Sequence, residues 1–273
     1  MPEPKRIRRS ATRRARPGTS SAGLIAVDVG NSDTVVGFFS GSVLSGFWRL
    51  TTRAETADEL GLRLEALGRA HRWPREAGSV VCSVVPSLTV PWQVALERHT
   101  GRPVVEVSAS TVKGLPIRYR DRGSVGADRL ANAIAARALY GTPSIVVDLG
   151  TATTFDCISR QGAYLGGAIA PGVGTSAEEL FRRAARLPRV ELRRPARALG
   201  RTTEESLQAG VLWGAAGQVD ALVRRLALEM KGTPAVIATG GLAALVTPEC
   251  ETINRVDEAL TLKGMRLIWN AAR

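Results

Sequence analysis

Short apolar runs rich in β-branched residues alternate along the chain with segments whose leucines recur at helical spacing. Within residues 55–70, Leu60, Leu64 and Leu67 fall on one face of a helix. Such alternation predicts a mixed α/β architecture in which helices cover the faces of sheets. In the first half of the chain the pattern predicts strands at 24–29, 35–39, 44–50, 80–85 and 104–107, and helices at 55–70, 88–99 and 130–140.

The second half of the chain continues this pattern, with one exception. The segment 145–158 is predicted to be a strand–turn–strand unit, and 235–242 contains a further apolar strand. The glycine-rich segment 164–172 is predicted to form no stable element, with its backbone packed close to a ligand or to another strand. Helices are predicted at 175–186, 203–230 and 256–270.

Two segments, 24–36 and 145–156, repeat one arrangement. In each, an apolar strand ends at an aspartate, a glycine follows two residues later, and hydroxyl or amide side chains come next. Asp28 and Asp148 hold equivalent places 120 residues apart, an offset too long for a solenoid repeat and suited to a duplicated domain. The repeat therefore predicts two related halves with a ligand cleft between them.

The residue types of the repeat favour a phosphorylated ligand and a cation. A buried apolar strand delivers its aspartate to the strand end, where a ligand can reach it. Glycine permits a tight turn and close approach of a phosphate, while Asn31, Ser32 and Thr151 supply hydrogen-bond donors. Because a bare carboxylate repels a phosphate, the pattern predicts a nucleotide–metal site. The apolar strand that runs into Thr-Gly-Gly at 239–241 is a third candidate contact.

Composition narrows the class of protein only slightly. With 273 residues, 44% hydrophobic and 23% charged, the chain has ample core for one large domain or two medium ones. No apolar run approaches the roughly 20 residues that span a bilayer, and the N-terminus lacks the apolar segment of a secretory signal. Cys82, Cys157 and Cys250 show neither zinc-site nor disulfide spacing. We therefore expect a cytoplasmic protein without a membrane partner.

The positive charge is unevenly distributed. Residues 1–22 contain seven Lys or Arg and one acidic residue, Glu3. Their net charge of +6 is half of the +12 of the whole chain. This segment has almost no apolar residues, so we expect residues 1–22 to be a disordered basic tail. A basic arm can contact nucleic-acid phosphates. A variable, solubilising extension is the simpler interpretation, and nucleic acid is not expected as a partner.

Several further short motifs accompany the repeat. They are Gly-Ala-Asp-Arg at 126–129, Asp-Leu-Gly-Thr-Ala-Thr-Thr at 148–154 and Gly-Gly-Ala-Ile-Ala-Pro-Gly at 166–172. Ser-Val-Val-Pro at 83–86 and Leu-Thr-Leu-Lys-Gly at 260–264 accompany them. Together these motifs resemble those of the type III pantothenate kinases.

The resemblance runs from about Leu24 to the C-terminus and has consequences for the fold. It implies an α/β protein made of two duplicated actin-like (ribonuclease H-like) ATPase domains with a central cleft. The N-terminal domain is expected at residues 23–129 and the C-terminal domain at residues 130–273. The resemblance also implies a homodimer whose partner subunit helps to close the pantothenate pocket, with the apolar helical stretch at 203–230 as interface or as core.

The implied reaction is transfer of the ATP γ-phosphoryl group to the primary hydroxyl of pantothenate, the first step of coenzyme A biosynthesis. Asp128 has the position of the family's catalytic base, which accepts the hydroxyl proton. A helix cap is its alternative role. Arg129 offers a fork suited to the pantothenate carboxylate, with a solvated surface arginine as the alternative. The other pantothenate contacts implied by the resemblance are Tyr119, Gly126, Ala127 and Thr203, with Asp128 and Arg129 completing the set.

Phosphoryl transfer depends on positioning and on neutralising charge. No lysine lies within either hairpin, so bound cations must share the neutralisation. The resemblance implies Mg²⁺ at Asp28, held directly or through water, and a monovalent cation, K⁺ or NH₄⁺, at Asp148. A structural carboxylate is the alternative for Asp148. The implied ATP contacts are Thr151 and the phosphate loop, which comprises Asp28, Val29, Gly30, Asn31, Ser32, Asp33, Thr34 and Val35.

The chain departs from the family pattern beside the expected pantothenate pocket. Asp121 and Arg122 stand where the family usually has Asn-Pro, and Ser124 replaces a usual glutamate. Thr202 takes the place of a common asparagine. Two other functions stay open on other grounds. One is a non-catalytic regulatory or transcription accessory protein on the same fold, and the other is a kinase for another small hydroxylated substrate.

Overall fold

A computed structural model describes residues 23–74 and 76–273, so the predicted disordered tail at 1–22 lies outside the described residues. The first sheet contains β1 (Gly23–Val29), β2 (Asp33–Ser40), β3 (Val43–Thr51), β4 (Gly78–Ser83) and β5 (Val105–Glu106). Its order is β3-β2-β1-β4-β5. β2 pairs antiparallel with both β1 and β3, whereas β4 pairs parallel with β1 and β5.

The second sheet repeats this topology. It contains β6 (Ser144–Leu149), β7 (Ala152–Ile158), β8 (Tyr164–Pro171), β9 (Ala235–Thr239) and β10 (Arg255–Val256). Its order is β10-β9-β6-β7-β8, with β6 and β7 as the antiparallel hairpin and β9 parallel to β6. Each sheet therefore has its first strand at the centre and its second and third strands on one side. The predicted duplication and the α/β class are confirmed.

Seven helices surround the sheets within the described residues. Thr56 starts the first helix with a capping box, in which its hydroxyl accepts from the backbone of Glu59 and the Glu59 carboxylate accepts in return. Pro86, predicted to close a strand, instead opens the second helix, where a missing N–H is tolerated. The helices are α1 (Ala57–His71), α2 (Pro86–Thr100), α3 (Ala127–Tyr140), α4 (Val173–Arg183), α5 (Thr203–Glu229), α6 (Ala243–Val246) and α7 (Leu260–Ala272).

The glycine-rich segment 164–172 is where the prediction of no stable element is wrong, because β8 occupies most of it. Two of its glycines are needed for a close approach to neighbouring backbone, Gly167 to a strand and Gly172 to the turn between β6 and β7. A Cβ on Gly167 would lie 1.6 Å from the carbonyl oxygen of Phe155 on β7, and one on Gly172 would lie 2.2 Å from that of Thr151. The expected packing against another strand is confirmed.

Helices α3 and α7 connect the two halves. Both contribute to one apolar core together with residues of both sheets, such as Ala26 and Val146. The two helices pack so closely that a Cβ on Gly264 of α7 would lie 1.9 Å from the carbonyl oxygen of Ala131 on α3. Helix α7 also packs on β1 and β4 of the first sheet. The predicted domain boundary at 129/130 falls within α3, and the C-terminal helix lies against the N-terminal sheet.

No helix in the part of the chain that the structure describes is both long and apolar enough to cross a membrane.

Candidate active site

A cavity of about 1100 Å³ lies where the carboxyl ends of the central strands β1 and β6 face each other. Both halves of the protein line it. Residues of the predicted phosphate loop and the predicted cation ligand meet here, because the duplicated topology brings equivalent strand ends to a common cleft. Predicted residues that line the cavity are Asp28, Gly30, Asn31, Ser32, Asp33, Val35, Asp128, Asp148 and Thr151.

The amide of the glycine closes the turn of each Asp-x-Gly hairpin, and the first turn is one residue longer than the second. The amide of Gly30 donates to the carbonyl of Asp33 at 3.0 Å, and the amide of Gly150 donates to the carbonyl of Ala152 at 3.1 Å. The tips of the hairpins meet, since the hydroxyls of Ser32 and Thr151 are 2.8 Å apart. Two sets of exposed donors therefore face the same ligand space.

Three partly buried carboxylates share this cavity: Asp28, Asp128 and Asp148. Withdrawal from water raises the pKa of Asp28 to about 8, and repulsion by the other two carboxylates contributes to the rise. Withdrawal from water and repulsion by Asp128 raise the pKa of Asp148 to about 6, although a hydrogen bond from Asn132 opposes the shift. Withdrawal from water also raises the pKa of Asp128. Carboxylates that repel one another in a cleft favour binding of a cation.

The carboxylates of the cavity suit a hard cation whose remaining ligands are water or phosphate. Among the described residues, no group of three or more His, Cys, Asp or Glu forms a ready-made metal site. Asp28 and Asp148 offer carboxylate oxygens, the ligands that Mg²⁺ accepts alongside phosphate and water. The residues present therefore fit a metal–nucleotide complex better than a metal held by protein alone.

Asn132 is a cavity-side residue that the sequence did not reveal. Its side chain is fully buried, donates from Nδ2 to Oδ2 of Asp148 at 3.2 Å, and accepts from the hydroxyl of Thr261 at 2.9 Å. These bonds tie α3 and α7 to the end of β6. The carboxylate of Asp148 is thereby held in one orientation.

The Thr-Gly-Gly segment at 239–241 completes the wall opposite the first hairpin. Gly240 has a φ of +94°, and a Cβ there would lie 2.5 Å from Oδ1 of Asp148. Glycine is required at this position for both reasons. The third candidate contact thus lies beside the predicted cation ligand.

Asp128 lies in the first turn of α3 but does not cap it. The N-cap is Gly126, which has no side chain to cap the helix. Oδ1 of Asp128 accepts a hydrogen bond from the amide of Arg129 at 2.7 Å. A negative charge in the first helical turn is stabilised by the helix dipole. The carboxylate faces the cavity, which favours the chemical role over the capping role.

Arg129 is buried, so the alternative of a solvated surface arginine is wrong. Its Nε donates to Oδ1 of Asp156 at 2.7 Å, and its Nη2 donates to the carbonyl of Phe155 at 3.2 Å. The hydroxyl of Tyr164 donates to the same Asp156 oxygen at 2.8 Å. The first turn of α3 is thereby fastened to β7 and β8.

The remaining predicted residues lie outside the cavity lining. Val29 and Thr34 are buried beneath the first hairpin. Tyr119 is 39% exposed, with its ring centroid 6.3 Å from that of Tyr164. Thr203 is the exposed first residue of α5, whose cap is its neighbour Thr202. Gly126 and Ala127 start α3.

Arginines at the cavity were not predicted. Arg49 comes from β3, Arg182 from α4, and Arg189 from the segment after α4. No local motif marks them, because each reaches the cavity from an element outside the hairpins. Other cavity residues that the prediction missed are Val84, Thr175, Glu178, Glu179, Glu258, Thr261 and Leu262.

Comparison with known proteins agrees with this geometry. The solved structure of a conserved protein from Campylobacter jejuni, assigned to the Baf family of transcriptional activators, has a TM-score of 0.58 at 19% identity and covers 91% of this chain and 98% of that chain. MreB5 of Spiroplasma citri bound to ADP has a TM-score of 0.51 at 10% identity, covering 93% and 98%. At these identities the likeness concerns the fold alone. The two sheets and their cleft define the actin-like ATPase fold.

Sequence comparison narrows the class to a family. The sequence model described as type III pantothenate kinase matches residues 24–225. The type III pantothenate kinase of Moorella thermoacetica is 47% identical over 249 residues, covering 90% of this chain and 98% of that protein. The chain belongs to the type III pantothenate kinase family. The family implies use of ATP, generally with a divalent metal.

Proposed function

We propose that the protein transfers the γ-phosphoryl group of ATP to the primary hydroxyl of pantothenate, forming 4'-phosphopantothenate in the first step of coenzyme A biosynthesis. The observation that carries this proposal is the meeting of Asp28, Asp128 and Asp148 from both halves in one cavity, beside the Ser32 and Thr151 hydroxyls. Family membership supplies the substrate.

Asp128 acts as the general base. The acceptor hydroxyl must lose a proton as its bond to phosphorus forms, and a carboxylate at the cavity wall is positioned to accept it. The raised pKa of Asp128 makes it a stronger base than a solvated aspartate, while still leaving it ionised at high pH. The bond from the amide of Arg129 to Oδ1 holds the carboxylate in one orientation.

The first hairpin binds the ATP phosphates. Its exposed donors at Asn31 and Ser32, with the hydroxyl of Thr151 from the second hairpin, face the cavity. Asp28 would hold Mg²⁺ directly or through water, and the ion would neutralise phosphate charge. Val29 and Thr34 serve this hairpin from beneath, as buried supports of its turn.

Asp148 would hold a monovalent cation, K⁺ or NH₄⁺. The hydrogen bond from Asn132 orients its carboxylate, and the absence of a side chain at Gly240 leaves space beside Oδ1. A single charge there offsets the repulsion between Asp148 and Asp128, which contributes to the raised pKa of Asp148.

The pantothenate end is formed by Arg129, Tyr119, Gly126 and Ala127, with Thr203 supplied across a homodimer. Tyr119 and Thr203 are exposed and lie outside the cavity lining, so a partner subunit could contact them. We place the enzyme in the cytoplasm, where its free cysteines stay reduced. No step of the reaction needs a nucleic acid.

The test is a coupled assay of ADP release with pantothenate, Mg²⁺ and either K⁺ or NH₄⁺. We expect turnover that requires pantothenate and that falls when Na⁺ replaces the monovalent cation. Folded protein that binds ATP but shows no turnover would favour the regulatory alternative. Turnover with other small alcohols and none with pantothenate would favour a different kinase on the same fold.

A further inference from the structure

A row of side chains crosses the first sheet from Asp28 to an arginine. Asp28 on β1 is paired with Val35 on β2, and Val35 is paired with Arg49 on β3. Residues paired directly across strands project from the same face of a sheet. All three line the cavity, and with strands about 4.8 Å apart the row carries Arg49 to the far side of the nucleotide space from Asp28.

The equivalent row in the second sheet contains no cation. Asp148 on β6 is paired with Thr154 on β7, and Thr154 is paired with Ile169 on β8. Ile169 is 66% exposed and does not line the cavity. The duplicated sheets therefore differ at this position, and only the first one directs a positive charge at the cleft.

The guanidinium of Arg49 reaches across the cleft to the second half. Its Nη1 lies 3.5 Å from the position that a Cβ of Gly241 would take. Its ion pair with Asp33 is loose, at 3.7 Å, and the side chain is 41% exposed. Exposed pairs of this kind contribute little to stability, so Arg49 can leave Asp33 for a ligand.

The other two cavity arginines are more firmly engaged. Arg182 is paired with Glu179 and Arg189 with Glu178, both at 2.7 Å. Arg182 lies on α4 and Arg189 lies in the segment after it. Arg49 is thus the cavity arginine whose ion pair is longest, at 3.7 Å against 2.7 Å for the other two.

The charge of Arg49 acts on the nucleotide end of the cavity. Arg49 stands on the edge strand β3, whereas α3, which carries Asp128, packs on β4, β6 and β7. The γ-phosphate must lie next to the base at Asp128 when it is transferred. A cation at the opposite end meets the phosphate that stays with the leaving group.

We propose that Arg49 is a catalytic residue that binds the β-phosphate of the nucleotide across the cleft, exchanging its loose pair with Asp33 for a charge-assisted contact. The inference rests on the proposed function only for the use of ATP. Because charge accumulates on the leaving ADP during phosphoryl transfer, a guanidinium at the β-phosphate stabilises the transition state as well as the bound nucleotide.

Calorimetric titration with ADP and AMP, both with Mg²⁺ and without pantothenate, tests the contact directly. For Arg49→Gln we expect the ADP dissociation constant to rise about 10- to 100-fold, as for loss of a charge-assisted bond, while that of AMP changes less than about 2-fold. Arg49→Lys should recover part of the loss, because it restores the charge without the fork. Arg53→Gln, which removes an exposed charge outside the cavity lining, is the matched control and should leave ADP binding unchanged.

Two results would overturn the proposal. One is wild-type ADP affinity in Arg49→Gln, and the other is an equal loss of AMP and ADP affinity, which would indicate a structural effect. These titrations contain no pantothenate, so their result does not depend on the acceptor. Failure of the proposed activity would therefore be distinguishable from failure of this contact.

Discussion

The hydroxyls of Ser32 and Thr151 lie 2.8 Å apart, although 119 residues separate them in the chain. Each follows the glycine of its own Asp-x-Gly turn, so the contact joins the tips of the two duplicated hairpins. The pair joins the two halves of the protein at the cavity wall. A phosphate that enters there would take donors from both hydroxyls.

The first prediction concerns this pair. Thr151→Val keeps the shape of the side chain and removes the donor. A hydrogen bond to a charged group contributes about 1.5–3 kcal/mol, so we expect the dissociation constant of Mg·ATP to rise roughly 10- to 100-fold. Thr142→Val is the control, because its hydroxyl donates to the carbonyl of Arg160 away from the cavity. Equal effects of the two variants on Mg·ATP binding would contradict a phosphate contact at Thr151.

The second prediction concerns the base. Asp128→Asn should lower kcat by at least about 100-fold, within the range for loss of general base catalysis, with Mg·ATP affinity nearly unchanged. Since the pKa of Asp128 is raised, wild-type kcat/KM should increase with pH through a value above the ordinary carboxyl range. Steady-state rates across pH, with calorimetric titration of Mg·ATP, measure both effects. A variant that keeps most of its turnover would remove Asp128 from this role.

The third prediction concerns pH and stability in the absence of nucleotide and divalent metal. The pKa of Asp28 is raised from 3.8 to about 8, so the folded protein retains a proton that the unfolded chain releases. The free energy of unfolding should therefore decrease as pH rises between about 4 and about 8. Urea unfolding at pH 5 and pH 8 measures the decrease.

Asp28→Asn isolates the contribution of that carboxylate. The decrease between the two pH values should be smaller in the variant by at least about 1.4 kcal/mol, the equivalent of one pKa unit. Mg·ATP should stabilise the wild type more strongly at pH 8 than at pH 5, because it binds the ionised site. An identical pH dependence in the two proteins would show that Asp28 is not held in a protonated state.

Local signals made the centre of each sheet predictable from sequence. A buried strand that ends at Asp-x-Gly is recognisable from its own sequence, so the cavity-facing positions of Asp28 and Asp148 could be predicted from the pattern. The glycines of β8 were misleading, because the reason for Gly167 is the carbonyl of Phe155 on another strand. A glycine-rich run has the same sequence whether it loops freely or packs against a neighbour.

Residues that depend on pairing across strands could not be predicted. Arg49 reaches the cavity only because β3 is registered against β2, and its relation to Asp28 spans two strands. Arg129 was assigned to the site by its motif, but its partner Asp156 lies 27 residues away on β7. These contacts depend on which residues of neighbouring elements lie opposite each other, and a single sequence does not specify that register.

The fourth prediction concerns the buried pair of Arg129 and Asp156. Asp156→Asn leaves the guanidinium charge buried without its counter-ion, which should lower the free energy of unfolding by about 3–5 kcal/mol. Tyr164→Phe is the matched variant, since it removes only the neutral donor to the same oxygen and should cost about 1 kcal/mol. Urea unfolding of the three proteins provides the comparison. Equal losses would mean that the charge pair contributes no more than the hydroxyl.

The fifth prediction concerns the contact of α3 and α7 that connects the two halves. Gly264→Ala places a methyl group 1.9 Å from the carbonyl oxygen of Ala131, so the helices must separate. We expect a loss of about 3 kcal/mol or more in the free energy of unfolding, at the upper end for overpacked sites.

The control for Gly264 is another helical glycine. A Cβ on Gly61 of α1 meets nothing within 4 Å, so Gly61→Ala should stabilise the protein by about 0.5–1 kcal/mol through reduced freedom of the unfolded chain. Opposite signs for the same substitution in two helices would assign the effect to the interhelical contact. If Gly264→Ala also stabilised the protein, α3 and α7 would not pack as closely as their backbones indicate, and Asn132, which joins α3 to Asp148 and Thr261, would lose its fixed position.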